Sequence, residues 1–245
     1  MSKGRIRHMF AGGNTSKGFF SYFDHILPQH RAERIIILKG GPGTGKSTFM
    51  KNIAEVFCEK GCDTEYLHCS SDPSSLDAVV IPEKGIAILD GTAPHITDPK
   101  NPGAVDEIIN LGRFWNYDGL IKNRERICGI NAETGRLFQR AYRYIQAGYS
   151  LYRDNEVIYN MAMDHGKANV VISEITDKIF AGIDVTEKEG EQRYLFASAI
   201  TPEGLVNYLP SLITTREKIV IEGKPGTGTE RLLEKVRTCA TERGF

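Results

Sequence analysis

The chain has 245 residues, of which 40% are apolar, so it can bury the core of one large domain or of two small ones. Its 31 Lys and Arg residues equal its 31 Asp and Glu residues, which does not favour a nucleic-acid binder, because such proteins carry a basic excess. The first residues lack the apolar region of a secretory leader, and no apolar run approaches membrane-spanning length. We therefore expect a cytoplasmic protein without a membrane partner.

The cysteines do not follow a metal-binding pattern. The chain has five, at positions 58, 62, 69, 128 and 239, and they include no CxxC pair. A zinc site built from Cys58, Cys62, Cys69 and His68 would need a ligand spacing that differs from the usual ones. We therefore expect reduced thiols in a cytoplasmic protein.

The first sixty residues predict one strand, one turn and two helices. We expect the strand within Gly4–Ala11 and the turn at residues 12–15. Aromatic and aliphatic residues within Ser16–Leu27 recur at helical spacing, which predicts a helix with its apolar face in the core. The second helix, from about Lys46 to Lys60, is amphipathic, and Gly61 is expected at its carboxyl end.

The strongest chemical signal is the glycine loop, Gly40–Thr48. An apolar, β-branched run precedes it, and the loop fits the pattern G-x-x-x-x-G-K-[ST] at the start of a predicted helix. In such a loop the backbone N–H groups wrap phosphate oxygens, and the positive end of the helix faces them. Lys46 can then reach the β and γ phosphates as a catalytic residue, and the Ser47 hydroxyl can hold Mg²⁺.

This stretch resembles the Walker A motif of the P-loop NTPases, and its Gly-Pro-Gly-Thr-Gly-Lys run resembles that of ATPases in particular. The resemblance implies ATP as the nucleotide and Mg²⁺ as its metal. The expected preference for ATP over GTP rests on the resemblance alone, since we find no base-reading motif such as Asn-Lys-x-Asp. The residues predicted to bind the nucleotide are Gly41, Pro42, Gly43, Thr44, Gly45, Lys46, Ser47 and Thr48.

An acidic segment follows the strand predicted within Asp63–Ser70. Open α/β sheets bind ligands at the carboxyl ends of their strands, so Asp72 is positioned to meet a substrate hydroxyl or a metal-bound water. Many P-loop kinases, by resemblance, use an acid at a similar place, which makes Asp72 a candidate catalytic residue. The alternative stays open that Asp72 begins an Asx-turn and that Asp77 lies at a solvated helix start.

The apolar run Gly85–Asp90 predicts a buried parallel strand that ends in a carboxylate. It resembles a Walker B motif, which implies that Asp90 is catalytic and shares the Mg²⁺ shell with Ser47. Many ATPases place Glu after this Asp to polarise water, whereas Gly91 follows here, so a base must come from elsewhere or hydrolysis must be slow. His95 either acts on the γ phosphate or in proton transfer, or is only a hydrogen-bonded loop residue.

Beyond a linker at Asp98–Gly103 the pattern turns helical, which predicts a lid or substrate-binding insert at about residues 103–165. Helices are predicted for Ala104–Phe114 and from about Ala132 to Tyr152, and Lys167–Phe180 fits a helix or a strand. Three arginines share one face of the long helix. They are Arg136, Arg140 and Arg143. These arginines either clamp a phosphorylated substrate, supply an arginine finger or pair with acids on a solvated face.

The tail of the chain repeats its head. Six residues within Arg193–Tyr208 match, at one constant offset, six residues within Arg7–Tyr22. The segment Ile219–Gly228 then matches the strand and glycine loop that begin at Ile36, with a change of register that an ordinary loop deletion explains. The matches outside the loop argue against a merely generic strand-loop-helix design.

The second copy lacks the residues that would act on a nucleotide. Thr229 stands at the position of Lys46, and Glu230 stands at that of Ser47. A carboxylate that faces phosphate oxygens repels them, so we expect the second loop to bind nucleotide poorly. The copy also has no counterpart of Asp90.

This arrangement resembles a poorly characterised bacterial family of tandem P-loop ATPases, in which two copies of the unit stand in a longer chain. The resemblance covers the whole chain, through Gly-Gly-Pro-Gly-Thr-Gly-Lys-Ser-Thr, Leu-Asp-Gly-Thr-Ala-Pro-His and Phe-Ala-Ser-Ala-Ile-Thr-Pro-Glu-Gly. It implies a shortened member of the family or a fragment of a longer tandem protein, and it leaves the coupled substrate open.

Together these patterns predict an α/β protein of the P-loop NTPase class: a mostly parallel sheet flanked by helices, a helical insert after the Walker B strand and a partial second repeat. We expect a P-loop domain over residues 1–186 and the partial unit over residues 187–245. The predicted activity is Mg²⁺-dependent ATP binding with slow hydrolysis coupled to a conformational change. A phosphotransferase acting on a small molecule and a non-catalytic nucleotide switch are the alternatives, and a small-molecule or protein partner and a homo-oligomer stay open.

Overall fold

The computed structural model of the protein describes residues 2–214 and 218–245. They form two compact units, Met1–Arg143 with Tyr194–Thr215 and Tyr144–Arg193 with Arg216–Phe245. The strands in these ranges are β1 (Ile6–Phe10), β2 (Gly12–Thr15), β3 (Gly18–Ser21), β4 (Arg34–Lys39), β5 (Thr64–His68), β6 (Leu76–Ile81), β7 (Ile86–Asp90), β8 (Asp106–Asn110), β9 (Ser198–Thr201) and β10 (Gly204–Asn207). The helices are α1 (Lys46–Glu59), α2 (Tyr117–Lys122), α3 (Arg124–Met161), α4 (His165–Ile179), α5 (Leu209–Leu212) and α6 (Thr229–Glu242). None of these helices is both long and apolar enough to cross a membrane.

A six-stranded sheet in the order β1-β5-β6-β7-β4-β8 organises the first unit. Five of its strands run parallel, and β6 is antiparallel to both of its neighbours, β5 and β7. β4 and β7 lie side by side with Leu38 opposite Asp90, and both are apolar runs, as expected for strands covered on both faces. The predicted α/β class with a mostly parallel sheet is therefore confirmed, as are the strands predicted within Gly4–Ala11, Asp63–Ser70 and Gly85–Asp90.

Two hydrophobic layers cover the two faces of this sheet. On one face, α1 packs Met50 and Ala54 towards β6 and β7, and this helix matches the predicted one. On the other face, the layer is completed by partly buried side chains outside the sheet: Phe23, Leu27, Ala32, Val105, Leu195 and Leu212. Burial of apolar surface stabilises a fold in proportion to the area removed from water, by about 25 cal/mol per Å². Packing of the partly buried Leu195 and Leu212 therefore stabilises the contact of the start of the second copy with the sheet of the first.

The helix predicted at Ser16–Leu27 is wrong, and so is the turn predicted just before it. β2 and β3 form an antiparallel hairpin, which a 3₁₀ turn at Phe23–His25 follows. Thr15 closes the hairpin, because its Oγ1 donates to O of Gly18 at 2.7 Å and accepts from N of Lys17 at 3.1 Å. Gly18 has a φ of +98°, which no helix allows. Turn chemistry therefore outweighs the helical spacing of the aromatic residues.

The helix predicted at Ala104–Phe114 is also wrong. β8 and a 3₁₀ turn at Leu111–Phe114 take its place, and β8 pairs in parallel with β4. The apolar residues of this segment fit either structure, so pairing with a strand far away in sequence decides the outcome. Asp77, for which a solvated helix start was one of the alternatives, lies in β6. The helical insert therefore begins after β8 and not at about residue 103.

Helices α3 and α4 confirm that the middle of the chain is helical. α3 has 38 residues and extends the helix predicted for about Ala132–Tyr152 at both ends. α4 decides the open prediction for Lys167–Phe180 in favour of a helix, and Asp164 caps it by accepting from N of Lys167 at 3.1 Å. Within the second unit, α4 packs against α6.

Local structure repeats where the sequence repeats. Hairpin β9–β10 corresponds to hairpin β2–β3, and Thr201 makes the same hydrogen bonds in its turn as Thr15 makes in the first. Helices α1 and α6 have 14 residues each and begin directly after a glycine in the left-handed conformation, Gly45 and Gly228. The counterpart of β4, at residues 219–221, is irregular.

Candidate functional site

The glycine loop between β4 and α1 bends through glycines in the left-handed conformation. Gly43 and Gly45 have φ values of +77° and +84°, which other residues rarely adopt. Oγ1 of Thr44 donates to O of Gly41 at 2.9 Å and closes the loop. No side chain caps the start of α1, so its first N–H groups and the positive end of its dipole face the loop without a side-chain acceptor.

The tip of this loop is open. A Cβ atom added at Gly43 or at Gly45 would meet no heavy atom within 4 Å. Trp115, the single tryptophan of the chain, lies beside the loop, and its Cζ2 atom would be 3.7 Å from a Cβ added at Gly41. The loop is therefore accessible at its tip and bordered by an aromatic ring near its start.

Lys46 begins α1, and its side chain returns to the loop. Its Nζ donates to O of Gly40 at 2.6 Å and to O of Gly41 at 2.9 Å, and it lies 3.5 Å from Oδ2 of Asp90. Because Lys46 is only 8% exposed, carbonyl and carboxylate oxygens rather than water compensate its charge. Two of the predicted catalytic residues, one at the start of α1 and one at the end of β7, are thus brought together.

Asp90 ends β7 and has its two carboxylate oxygens in different contacts. Oδ1 accepts from N of Thr92 at 2.9 Å and from the Thr92 hydroxyl, while Oδ2 faces Lys46. The next residue, Gly91, has no room for a side chain, because a Cβ there would lie 2.4 Å from Cγ2 of Ile37. This close approach is a physical reason why no Glu follows Asp90.

Ser47 links the start of α1 to β6. Its Oγ accepts a hydrogen bond from N of Leu76 at 3.0 Å. A hydroxyl keeps its proton and a second lone pair in such a contact, so Ser47 can still bind a cation. The sequence predicted Ser47 as a metal ligand but gave no sign of this link to β6.

Asp72 adopts the Asx-turn that the sequence left open. Its Oδ1 accepts from N and Oγ of Ser74 at 3.2 and 2.7 Å, and its Oδ2 accepts from Oγ of Ser75 at 2.6 Å. The hydroxyls of Ser75 and Ser74 hold the pKa of Asp72 below its usual value. A carboxylate stabilised in this way is a weak base, and its catalytic role stays a prediction that these contacts do not support.

His95 lies in the loop after β7, and its side chain is only 4% exposed. Its Nε2 atom is 3.2 Å from Oδ1 of Asp77, which is equally buried. The imidazole stacks on Phe23 with ring centroids 4.7 Å apart, and the Phe19 ring lies 5.1 Å away. A role of His95 towards phosphate stays a prediction, and its buried pairing with Asp77 is a feature that the sequence did not reveal.

Cys69 completes a cluster with Asp77 and His95. A sulfur, a carboxylate oxygen and an imidazole nitrogen of these residues lie within 4.8 Å of one another. Burial, together with the negative charge of Asp77, raises the pKa of the Cys69 thiol to about 12. The cluster therefore holds this thiol protonated at neutral pH in the absence of a cation.

The metal-ligand set considered from the sequence is arranged differently. Sγ of Cys58 donates to O of Gly4 at 3.0 Å. The imidazole of His68 has its Nδ1 2.7 Å from O of Pro73 and its Nε2 2.9 Å from Nδ1 of His8. Of the four residues in that set, only Cys69 belongs to a group of metal-ligating side chains in the part of the chain that the structure describes.

The arginine face of α3 is exposed to solvent. α3 has no buried residue in its described length. Arg136 donates to Glu133, one turn earlier, through Nε at 2.9 Å and a terminal nitrogen at 2.7 Å. This contact is the pairing with acids that was one of the alternatives for the three arginines.

The second glycine loop, Gly223–Glu230, is blocked within its own unit. A Cβ at Gly226, the counterpart of Gly43, would lie 2.2 Å from the backbone O of Glu156 in α3. Oη of Tyr152, also in α3, donates to Oε1 of Glu230 at 3.4 Å. At the second loop, α3 therefore fills the space whose equivalent at the first loop is open. This agrees with the expectation that the second loop binds nucleotide poorly.

The edge of the sheet thus brings together the glycine loop, the Lys46 ammonium and the Asp90 carboxylate, while the Ser47 hydroxyl at the start of α1 contacts Leu76. Comparison of the chain with protein-family models, with curated proteins and with solved structures found no match.

Proposed function

We propose that the chain binds Mg²⁺-ATP at the glycine loop. The observation that carries the proposal is the convergence of an open loop, the uncapped start of α1, and Lys46 with Asp90, whose Nζ and Oδ2 atoms are 3.5 Å apart. Backbone N–H groups and a lysine offer positive charge to phosphate oxygens. A hydroxyl and a carboxylate offer the oxygen ligands that Mg²⁺ prefers, and Ser47 and Asp90 are the residues that would hold it.

On binding, the Lys46 ammonium exchanges its contacts with O of Gly40 and O of Gly41 for contacts with the β and γ phosphates. Phosphate oxygens carry negative charge and carbonyl oxygens do not, so the Coulomb attraction to the ammonium favours this exchange. Thr44, Gly45 and Thr48 lie at or near the helix start, where backbone N–H groups face the phosphates.

The activity that we propose is slow ATP hydrolysis coupled to a conformational change. Efficient hydrolysis needs a group that accepts a proton from the attacking water. Gly91 has no side chain to supply such a group, a side chain at that position would clash with Ile37, and Asp72 is engaged by two serines. The same contacts of Asp72 weaken the case for a phosphotransferase that would use it as a base.

A non-catalytic nucleotide switch is the second candidate function. The observation that favours it is the crowding at Gly91, which excludes the carboxylate that many ATPases use. Both functions need the same binding site, so turnover distinguishes them. Tight binding of Mg²⁺-ATP with phosphate release at the background rate would favour the switch.

Phosphate release from Mg²⁺-ATP by the full chain tests the proposed activity. We expect measurable turnover that falls by about tenfold or more in Lys46→Ala and in Asp90→Asn. Lys60→Ala, which removes an exposed lysine at the other end of α1, is the matched control and should keep the activity. Equal turnover in Lys46→Ala and Lys60→Ala would contradict hydrolysis at this site. ADP formation that depends on an added acceptor would instead favour the phosphotransferase.

A further inference from the structure

Three side chains with metal-ligating atoms meet at the edge of the sheet where β5 and β7 end and β6 begins. Cys69 follows β5, Asp77 lies in β6, and His95 is in the loop after β7. Their sulfur, oxygen and nitrogen atoms lie within 4.8 Å of one another. A set of three such ligands with one open position is typical of protein zinc sites that also bind a water.

The cluster contains buried polar atoms that lack a hydrogen-bond partner among the described residues. The side chains of Asp77 and His95 are each 4% exposed, and Oδ2 of Asp77 and Nδ1 of His95 have no partner. A buried polar group left without a partner costs about 1–3 kcal/mol. A cation bound by the Asp77 carboxylate would relieve the part of this cost that falls on Oδ2, because carboxylate oxygens donate lone pairs to a metal ion.

The ligand types and the one measured separation between nitrogen and oxygen fit zinc. Zinc binds imidazole nitrogen and carboxylate oxygen at about 2.0–2.2 Å, so two such ligands at a tetrahedral angle are about 3.4 Å apart. Nε2 of His95 and Oδ1 of Asp77 are 3.2 Å apart. Thiolate and imidazole are ligands that zinc accepts readily, whereas Mg²⁺ prefers oxygen ligands and keeps several waters.

Zinc would bind the Cys69 sulfur as a thiolate, because a thiol that coordinates a metal loses its proton. A thiolate, a carboxylate and Zn²⁺ carry no net charge together, so the filled cluster avoids the cost of a buried charge.

We propose that Cys69, Asp77 and His95 bind one zinc ion, with a water molecule as the fourth ligand. The thiol proton of Cys69 passes to solvent as the sulfur–zinc bond forms. This site is separate from the proposed Mg²⁺ ligands and does not depend on nucleotide binding. Zinc joins the loops after β5 and β7 to β6 and so stiffens the edge of the sheet next to Leu76, which hydrogen-bonds Ser47.

Cobalt substitution tests the site in the full chain without an affinity tag. Tetrahedral Co²⁺ with a thiolate ligand gives intense visible bands and a sulfur-to-metal charge-transfer band in the near ultraviolet. We expect these bands to saturate at about one Co²⁺ per chain and to disappear when Zn²⁺ is added. Absence of the charge-transfer band in the wild-type chain would overturn the proposal, because it would show that sulfur does not bind the metal.

Two variants identify the ligands. Cys69→Ser and His95→Gln should each weaken zinc binding by more than about tenfold in competition with a chelator. Cys128→Ser, which changes an exposed cysteine, should bind zinc as the wild type does. Equal zinc affinity of Cys69→Ser and Cys128→Ser would overturn the proposal.

If a variant does not fold, a measurement on the wild-type chain still tests zinc binding by Cys69. Zinc should slow the alkylation of Cys69 but not that of Cys128, as followed by mass spectrometry of the peptides. Equal labelling of Cys69 with and without zinc would also overturn the proposal.

Discussion

Phe10 and Phe196 exchange two backbone hydrogen bonds, with N–O distances of 2.8 and 2.9 Å. The two residues occupy matching positions in the two copies of the repeat. The ring of Tyr22 lies 5.0 Å from that of Phe196, and its counterpart Tyr208 lies 5.2 Å from Phe10. The two copies therefore meet about an approximate local two-fold axis within the first unit, and the start of the second copy is part of the core of the first.

Removal of the Phe10 ring tests the importance of this contact for stability. Phe10 is 0% exposed, and truncation of a buried Phe to Ala typically costs about 3–5 kcal/mol. We expect Phe10→Ala to lower the free energy of unfolding by that amount in denaturant titrations. Phe114→Ala removes a ring that is 77% exposed and should change stability by less than about 0.5 kcal/mol. Similar losses of stability in both variants would show that the contact between the two copies contributes no more to stability than an exposed ring does.

Stability should decrease as the pH falls below about 6.5. Burial lowers the pKa of His8 below its usual value of 6.5, and its Nδ1 lies 2.9 Å from Nε2 of His68. In this range the unfolded chain binds a proton at position 8 that the folded chain does not, so protonation favours unfolding. The melting temperature should therefore fall from pH 7 towards pH 5, and less steeply in His8→Gln. His30→Gln, at an exposed site, is the control and should keep the wild-type dependence of melting temperature on pH. If the melting temperature of His8→Gln falls with pH as steeply as that of His30→Gln, burial of His8 does not cause the pH dependence.

The pKa of Asp72 should depend on its serine neighbours. Oγ of Ser75 donates to Oδ2 of Asp72 at 2.6 Å and stabilises the carboxylate. We expect Ser75→Ala to raise the pKa of Asp72 towards its usual value of 3.8, as followed by the carboxyl chemical shift in an NMR titration. Ser71→Ala, at a neighbouring position, is the control. A pKa that stays low in Ser75→Ala would mean that the turn does not hold this carboxylate as described.

Trp115 should report nucleotide binding through its fluorescence. It is the single tryptophan of the chain, it is 39% exposed, and it lies against the loop at Gly41. A triphosphate at the loop changes the charge near the indole, so the emission should change saturably with Mg²⁺-ATP. Lys46→Ala should show no such change at the same concentrations. If calorimetry confirms that the wild type binds the nucleotide but the emission stays constant, the base and phosphates lie away from Trp115.

Local patterns in the sequence were sufficient for the part of the fold that holds the glycine loop. β4, β7 and α1 are apolar or amphipathic runs with clear ends, and their type does not depend on distant partners. The contact between Lys46 and Asp90 follows from the same information, because adjacent parallel strands end at one edge of a sheet.

Long-range pairing explains what the sequence did not predict. Apolar residues in β8 have a spacing that suits a helix, and only the pairing with β4 makes the segment a strand. The antiparallel β6 was not foreseen, and it carries Asp77 to His95 and Cys69. No local signal marks that cluster, since its three members become neighbours only when β5, β6 and β7 are assembled. The hairpin at Gly18 was predictable in principle from Thr-x-x-Gly turn chemistry, but the spacing of the aromatic residues favoured a helix.

Calorimetric titration of the full chain with Mg²⁺-ATP tests the central proposal most directly. The account predicts about one binding site per chain, since the second loop is blocked by α3. It also predicts that Lys46→Ala weakens binding by about tenfold or more, whereas Lys60→Ala binds as the wild type does. Undiminished affinity in Lys46→Ala, or no binding of Mg²⁺-ATP by the wild-type chain, would contradict the proposal that the glycine loop is the nucleotide site.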